Sequence, residues 1–375
     1  MNILVNTRLL IPNKIEGIAA FTYNIFKKII EAHPEHQFYF LFDRKYDNSF
    51  VFSKNVTPIV FNLPTRHPIL NIIWFELVVP AIIKTYKIDL FISPDNLLSL
   101  SAKVPTILVV HDINFKRMPE NLPFITRKYY NFFVPKFVKK ATHIVSVSEF
   151  TKNELIDAYK VQSEKITVIY NAPHITKDYI PDNLKEEIQL KYTNGKPYFI
   201  YLGSLHPRKN IERMLEAFDN FLEITKKDMY FVIVGRHLWR SYKIKNYEKI
   251  KNKDKIIFTG YLEREETINL LCSAFALILV SLYEGFGIPV IEAMSVGVPV
   301  ICSNTTALKE IANDSALLVN PFSVDEITSA MIKLTEDMNL YNNLKEKGTK
   351  RAQYFSWEKS SEELWQVIEK VINKK

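Results

Sequence analysis

Glycine is scarce in this chain, nine residues in 375, against an average usage near 7%. That alone excludes collagen-like and glycine-rich disordered classes, and it makes each surviving glycine informative. Cysteine is scarcer still, at two. Cys272 and Cys302 each border an apolar run, so both read as small buried hydrophobes in a reducing compartment, with no disulfide framework and no zinc cluster. The start, Met1-Asn2-Ile3-Leu4-Val5, already reads as a strand. It lacks the basic region, apolar stretch and small-residue cleavage site of a signal peptide, and a cytoplasmic location is expected. Long apolar runs are lacking too. The best candidate, Pro68 to Ile83, is interrupted by Asn71, Glu76 and Pro80 and falls short of the roughly 20 apolar residues a spanning helix needs, so a buried helix is expected.

What is present is a chain of 43.8 kDa with 47% hydrophobic and 24% charged residues, enough for two folded domains. The net charge of +8 is unevenly placed: residues 1 to 170 hold 21 Lys and Arg against 14 Asp and Glu, and the remainder 28 against 27. The basic excess therefore belongs to the N-terminal half. It favours an acidic partner such as a nucleotide sugar, a lipid phosphate or an anionic membrane surface. Nucleic acid is the weakest of these, because no RNA- or DNA-binding signature accompanies the charge.

Short apolar, β-rich runs alternate with longer amphipathic stretches. Strands are expected at 2–6, 37–42, 90–93, 106–110, 143–147 and 165–169 in the first half, and at 198–202, 230–234, 255–258, 276–280, 298–302 and 316–319 in the second. Continuous apolarity in strands separated by helices argues for parallel sheets covered on both faces. The segment 171–196, with two prolines and Asn194-Gly195, reads as a domain boundary. The expected organisation is α/β: a first Rossmann-like domain over 1–172, a second over 173–355, facing each other across a cleft, and a closing helix over 356–375. In that helix Trp357, Leu364, Trp365, Val367, Ile368 and Val371 recur at helical spacing and need a surface to bury them.

Three glycines follow strands directly: Gly203, Gly235 and Gly260. In open α/β sheets ligands bind beyond the carboxyl ends of the strands, where the backbone turns sharply or approaches a ligand. Ordinary turn glycines are the alternative. The sharpest segment runs from Leu279 to Ser295. A buried strand leads into Glu284, then a turn with Gly285 and Gly287, then Pro289 at an expected helix start and Glu292 in an expected first turn. Free N–H groups at such a start suit a phosphate. The carboxylates then turn to hydroxyls, or else Glu292 is a dipole-favoured first-turn residue and Glu284 a solvated loop residue. Before the helix expected at 211–225 stand His206, Arg208, Lys209 and Asn210. Asn210 is placed as an N-cap. Arg208 and Lys209 would bind a pyrophosphate together, or are solvated charges.

At these residues the sequence strongly resembles the family 4 retaining glycosyltransferases of the GT-B fold. The resemblance runs over nearly the whole chain. It rests on Glu284 and Glu292 with seven residues between them, on Gly285-Phe286-Gly287, on the loop from Gly203 to Asn210, on Phe258-Thr259-Gly260-Tyr261, on His111-Asp112 after a strand, and on the Trp357 helix. It implies that the C-terminal domain binds a nucleotide-sugar donor, that the N-terminal domain binds a glycan or lipid-linked acceptor, and that the last helix returns to the first domain. It further implies that Arg208 and Lys209 hold the pyrophosphate and stabilise the departing diphosphate. Glu292 would hold the ribose, and Glu284 with the backbone of Phe286 to Ile288 the donor sugar. Gly203 and His206 belong to the donor loop. Gly235, Arg236, Tyr261 and Leu262 would lie at the base, His111 over the sugar, and Gly17 where the first helix starts near the phosphate. One departure is visible: many relatives carry two glycines in that first loop, whereas here the run is Gly17-Ile18-Ala19-Ala20.

The run from Gly17 to Thr22, with His111-Asp112 and Pro119-Glu120, looks most like the mannosyl- and rhamnosyl-transferring members used in surface polysaccharide assembly. GDP-mannose is accordingly the favoured donor; UDP-glucose and UDP-N-acetylglucosamine are the alternatives. The chain holds no Asp-x-Asp, and neither metal nor cofactor is expected. Rival readings are a glycosidase using Glu284 and Glu292 as its acid and nucleophile, an epimerase or sugar-phosphate synthase of the same fold, and a non-catalytic nucleotide-sugar-binding scaffold. The basic, aromatic run from Phe124 to Lys140 fits a membrane-adjacent acceptor, with peripheral membrane contact, or an ordinary amphipathic helix with a solvated basic face.

Overall fold

The computed structural model describes residues 1–12, 17–175, 182–236 and 244–373. The chain divides into two compact units, one of Met1–Asn171 with Ser356–Lys375, the other of Ala172–Phe355. The charged helix Asp182–Thr193 belongs to the second unit.

In the first unit seven strands form one sheet: β1 (Asn2–Asn6), β2 (Gln37–Phe42), β3 (Val56–Val60), β4 (Leu90–Ser93), β5 (Thr106–Val110), β6 (His143–Ser146) and β7 (Ile166–Val168). Their order is β3-β2-β1-β4-β5-β6-β7, and every pairing is parallel. The second unit carries β8 (Tyr198–Leu202), β9 (Tyr230–Val234), β10 (Ile256–Gly260), β11 (Ala276–Leu279), β12 (Val300–Ser303) and β13 (Leu317–Val319), ordered β10-β9-β8-β11-β12-β13 and again wholly parallel. Both sheets are doubly wound, with the strand order reversing beside β1 and beside β8. The central strands β4, β5, β6, β8, β11 and β12 are buried at every residue, as their continuous apolarity requires.

One strand, β3, escapes the sequence pattern. Its run Val-Thr-Pro-Ile-Val has a proline at its centre, paired with Phe40. A proline cannot donate to a ladder, which confines it to a sheet edge, and β3 is an edge strand. The Pro68 stretch also differs from expectation. It is helical over Pro68–Thr85, with a π-helical turn at Trp74–Val78, and among the described residues it is one helix long and apolar enough to cross a membrane. Trp74, Phe75, Val78, Val79 and Ile83 are buried, yet Ile69, Ile72 and Leu77 are exposed, so it is a half-buried helix rather than a buried one. Of the cysteines, Cys302 is buried and Cys272 only partly so. Burial pushes their thiols up, to about 12 and about 11.

The closing helix, Trp357–Ile372, packs on the helix Ile18–Ala32 of the first unit. All six apolar positions named from its spacing are buried. Trp365 stacks on His33 with ring centroids 3.6 Å apart, Trp357 meets Phe21 edge-on, and the Ser360 hydroxyl donates to the Tyr170 carbonyl at 2.7 Å. Lys28 pairs with Glu358 at the surface.

Candidate functional site

In the second unit three adjacent strands end in a row of glycines. The Gly203 N–H donates to the Val234 carbonyl at 3.0 Å, and the Gly235 N–H to the Gly260 carbonyl at 2.9 Å. The β8 and β9 ends are thereby brought so close that a Cβ on Gly235 would run into the carbonyl oxygen of Gly203. Gly235 also sits at φ 142°, so the site demands glycine both for space and for backbone shape. Gly260, by contrast, faces open space.

Beyond Gly203 the chain enters a short 3-10 turn, Pro207–Lys209, opened by His206, whose Nδ1 accepts from the Arg208 N–H. The helix Ile211–Thr225 follows and buries Ile211, Met214, Leu215, Phe218, Phe221 and Leu222. Asn210 precedes that helix but does not cap it with its side chain. It lies in the left-handed region at φ 62°, which turns the amide away. It donates instead to the carbonyls of Val280 at 2.9 Å and Pro321 at 2.7 Å, and accepts from Arg213. Asn210 thus ties this helix to the end of β11, a structural role that spacing alone reads as a cap.

The loop after β11 supplies the counter-charge. The Leu282 N–H donates to the Arg208 carbonyl at 2.8 Å, stitching the two loops together. The Glu284 carboxylate, 7% exposed, takes Arg208 Nη1 on one oxygen at 2.8 Å and, on the other, Lys209 Nζ together with the Ser281 hydroxyl at 2.8 Å. Arg208 also donates to the Tyr283 carbonyl at 2.9 Å. Burial would raise the Glu284 carboxyl, but Lys209 and Arg208 outweigh it and hold the group down at about 2. Glu284 is therefore ionised at any physiological pH and is no solvated loop residue. A carboxyl held so low is a poor general acid, which counts against Glu284 as the acid of a glycosidase pair. Arg208 and Lys209 are likewise not solvated charges, their side chains being 20% and 12% exposed. Arg208 and Lys209 thus stand side by side at the ends of β8 and β11, cations of the kind that bind an anion.

Gly287, at φ 107°, precedes the helix Ile288–Ser295, and a Cβ there would strike Leu308. Pro289 is the second residue of that helix. Glu292 is the fifth, half-buried in the second turn rather than the first, because the helix starts at Ile288; its carbonyl accepts from the Ser295 hydroxyl. Gly285 and Phe286 line the turn between, with Phe286 packed edge-on against Phe355. At the β9 and β10 ends, the Arg236 guanidinium lies over the Tyr261 ring at 5.5 Å, with Leu262 half-buried beside it. Part of the stretch after Gly235 lies outside the described residues.

The first unit holds the other two candidates. His111 follows β5; its ring Nε2 sits 3.0 Å from the Pro94 carbonyl, and its N–H donates to Asn96 Oδ1 at 2.7 Å. A carbonyl only accepts, so Nε2 carries the proton and Nδ1 is left as an acceptor. Burial lowers the His111 pKa, against the opposing pull of Pro94, Asp112 and Asp95, which favours a neutral ring. Gly17 starts the helix Ile18–Ala32 at φ 53°, with Ala19 and Ala20 buried.

Two groups were not legible from the motifs. Ser281 and, behind it, Ser303, whose hydroxyl donates to the Ser281 carbonyl at 2.6 Å, orient Glu284; a lone serine three residues before a glutamate carries almost no signal. At the ends of β1 and β4, Arg8 pairs with Asp95 and reaches Thr65 and Asn71, a buried ion pair whose members are 87 residues apart. Among the described residues no cluster of three or more His, Cys, Asp or Glu is placed to hold a metal ion.

Known proteins share the fold and the family. Residues 183–351 match the family described as glycosyl transferases group 1 and residues 15–175 match glycosyltransferase family 4. The O-antigen chain mannosyltransferase B of Escherichia coli is 30% identical over 67% of this chain and 67% of its own length. The O-antigen chain mannosyltransferase RfbU of Salmonella typhimurium is 32% identical over 63% of each. The matched stretches thus span about two thirds of those relatives. Among solved structures, sucrose-phosphate synthase from Thermosynechococcus elongatus superposes with a TM-score of 0.79 at 18% identity, over all of both chains. HepE of Anabaena, in complex with UDP and glucose, does so at 0.73 and 16%, over 98% of this chain and 99% of its own.

Proposed function

The chain belongs to the family 4 glycosyltransferases of the GT-B fold, and from that premise we propose that it moves a hexosyl group, mannosyl before others, from a nucleoside diphosphate sugar to a hydroxyl of a glycan or lipid-linked acceptor. The observation that carries the donor site is the Arg208, Lys209 and Glu284 cluster at the ends of β8 and β11. The donor diphosphate lies against the two cations. Its ribose hydroxyls donate to Glu292, the backbone of Phe286 to Ile288 meets the sugar and phosphate, and the base lies toward Gly235, Arg236, Tyr261 and Leu262.

Glu284 has both oxygens engaged by the cations and Ser281. It acts chiefly by fixing where they stand. As the glycosidic bond lengthens, negative charge collects on the departing diphosphate, and cations already in place stabilise it without reorganising. The chemistry asks for no metal, because Arg208 and Lys209 supply the positive charge. The transfer proceeds with retention at the anomeric carbon, the donor phosphate taking the proton of the acceptor hydroxyl. Acceptor binding falls to the first unit, and the protein works in the cytoplasm beside the membrane that carries a lipid-linked acceptor. The mannosyl preference is supported by the names of the O-antigen relatives.

The test is transfer from GDP-mannose against UDP-glucose and UDP-N-acetylglucosamine to a polyprenyl-diphosphate oligosaccharide, with the anomeric configuration of the product read by NMR. An α-linked mannoside formed from GDP-mannose, and lost in Arg208→Ala, is the expected result. An inverted product, or undiminished turnover in that variant, would overturn the reading.

A further inference from the structure

The helix Phe124–Lys140 carries five cations, Arg127, Lys128, Lys136, Lys139 and Lys140, and no acidic residue. Its inner face buries Tyr129, Val134, Phe137 and Val138. Its outer face is not the polar surface that a solvated helix presents. Ile125, Lys128, Phe132, Lys136 and Lys139 follow one another at spacings of three and four, which places them on one side of the helix, and all five are exposed. Phe124, Ile125 and Phe132 are 58%, 59% and 58% exposed. The cations stand over the rings: Lys136 Nζ is 3.3 Å from the Phe132 centroid, and Lys128 Nζ 4.6 Å from that of Phe124. The helix Pro68–Ile73 packs against this one and leaves Ile69 and Ile72 exposed.

Large exposed apolar side chains in such number mark a contact surface, and their alternation with lysines narrows its partner. An apolar protein partner would be met by a surface depleted in lysine. A polyanion such as nucleic acid would be met by the lysines but has no use for exposed Phe124, Ile125 and Phe132. A bilayer with anionic headgroups uses both, the rings entering the headgroup and acyl boundary while the lysine stems reach back to lipid phosphates. We propose that the outer face of Phe124–Lys140 docks on an anionic lipid bilayer, with Phe124, Ile125 and Phe132 inserted and Lys128, Lys136 and Lys139 on the headgroups. This adds a surface to the lipid-linked acceptor reading, and it is separable from that reading because vesicle binding requires no transfer.

The test is co-flotation of the full chain with vesicles of phosphatidylglycerol mixed into phosphatidylcholine, and with vesicles of phosphatidylcholine alone. Binding to the anionic vesicles, weakened by salt, is expected. Lys136→Gln with Lys139→Gln should lower the partition coefficient by about thirty-fold, at roughly fivefold per lysine, and Phe124→Ser with Phe132→Ser by about tenfold or more while the salt dependence stays. The residues are exposed, so the variants should melt as the parent does and should transfer normally to a water-soluble acceptor. Equal binding to both vesicle types, no binding to either, or unchanged binding in both variants would overturn the proposal. So would duplex DNA that displaces the vesicles and depends on the lysines but not the phenylalanines.

Discussion

Replacing Glu284 with Gln removes one charge and almost no volume from a position where the carboxylate is buried between two cations. The size of the effect follows from the carboxyl's displacement from its ordinary 4.5 to about 2, which corresponds to about 3 kcal/mol of folded-state stability. Breaking a buried ion pair by removing one partner costs a similar roughly 3 to 5 kcal/mol. For a unit of this size the loss should lower Tm by about 6 to 12 °C at neutral pH. The sign with pH is set by the direction of the shift. Because the folded value is depressed, the stabilisation is fully present above 4.5 and is lost as pH falls through about 2. Urea unfolding of parent and Glu284→Gln, followed at neutral pH and stepwise down toward pH 2, should therefore show a gap that is constant in the neutral range and closes in acid. A gap under about 1 kcal/mol at neutral pH, or one that fails to narrow in acid, would refute the cage as described.

Gly235→Ala should destabilise by about 2 kcal/mol or more, since its Cβ meets the Gly203 carbonyl at a φ that side chains avoid; Gly260→Ala, in open space at φ 72°, should cost only about 1 kcal/mol, and paired thermal melts check the contrast. Trp365→Ala should loosen the closing helix by about 3 kcal/mol and expose the Trp357–Ile372 segment to limited proteolysis in native buffer; unchanged cleavage would count against the stack on His33. The His111 pKa, lowered by burial, should leave a neutral ring protonated on Nε2 at neutral pH in nitrogen-15 NMR; a neutral ring protonated on Nδ1 instead would contradict the assigned hydrogen bond to Pro94. Because that shift runs downward, the unfolded chain binds the extra proton first, so this group's contribution to stability should fall as pH drops below its ordinary 6.5.

Much of the architecture is legible in the sequence because parallel strands covered on both faces leave uninterrupted apolar runs. Among the described residues, twelve of the thirteen strands need adjustments of no more than two residues at either end, β10 running on two residues through Gly260. β3 is invisible for a physical reason: the proline that argues against a strand is tolerated because β3 lies at the edge of the sheet, with no described strand on its outer side. Local chemistry is less legible than topology. The motif residues Arg208, Lys209 and Glu284 are found together, but that Glu284 faces the cations follows from Ser281, Leu282 and Asn210 holding two loops in register, which spacing cannot show. Asn210 stands at its expected N-cap position, but its left-handed backbone turns the side chain away from the helix, and Glu292 falls one residue later than expected because the helix starts at Ile288. The Arg8 and Asp95 pair joins strands far apart in sequence, and no local pattern announces it.

The central claim is that the Arg208, Lys209 and Glu284 cluster holds the donor diphosphate, and calorimetric titration of the purified chain with GDP, GDP-mannose, UDP and UDP-glucose tests it most directly. Saturable binding of a nucleoside diphosphate, tightest for the GDP pair and weakened at least about tenfold in Arg208→Ala, at the 1.5 to 3 kcal/mol of a charge-assisted hydrogen bond, is the predicted result. Binding of equal strength in the parent and in Arg208→Ala, or no binding of any of the four, would contradict it.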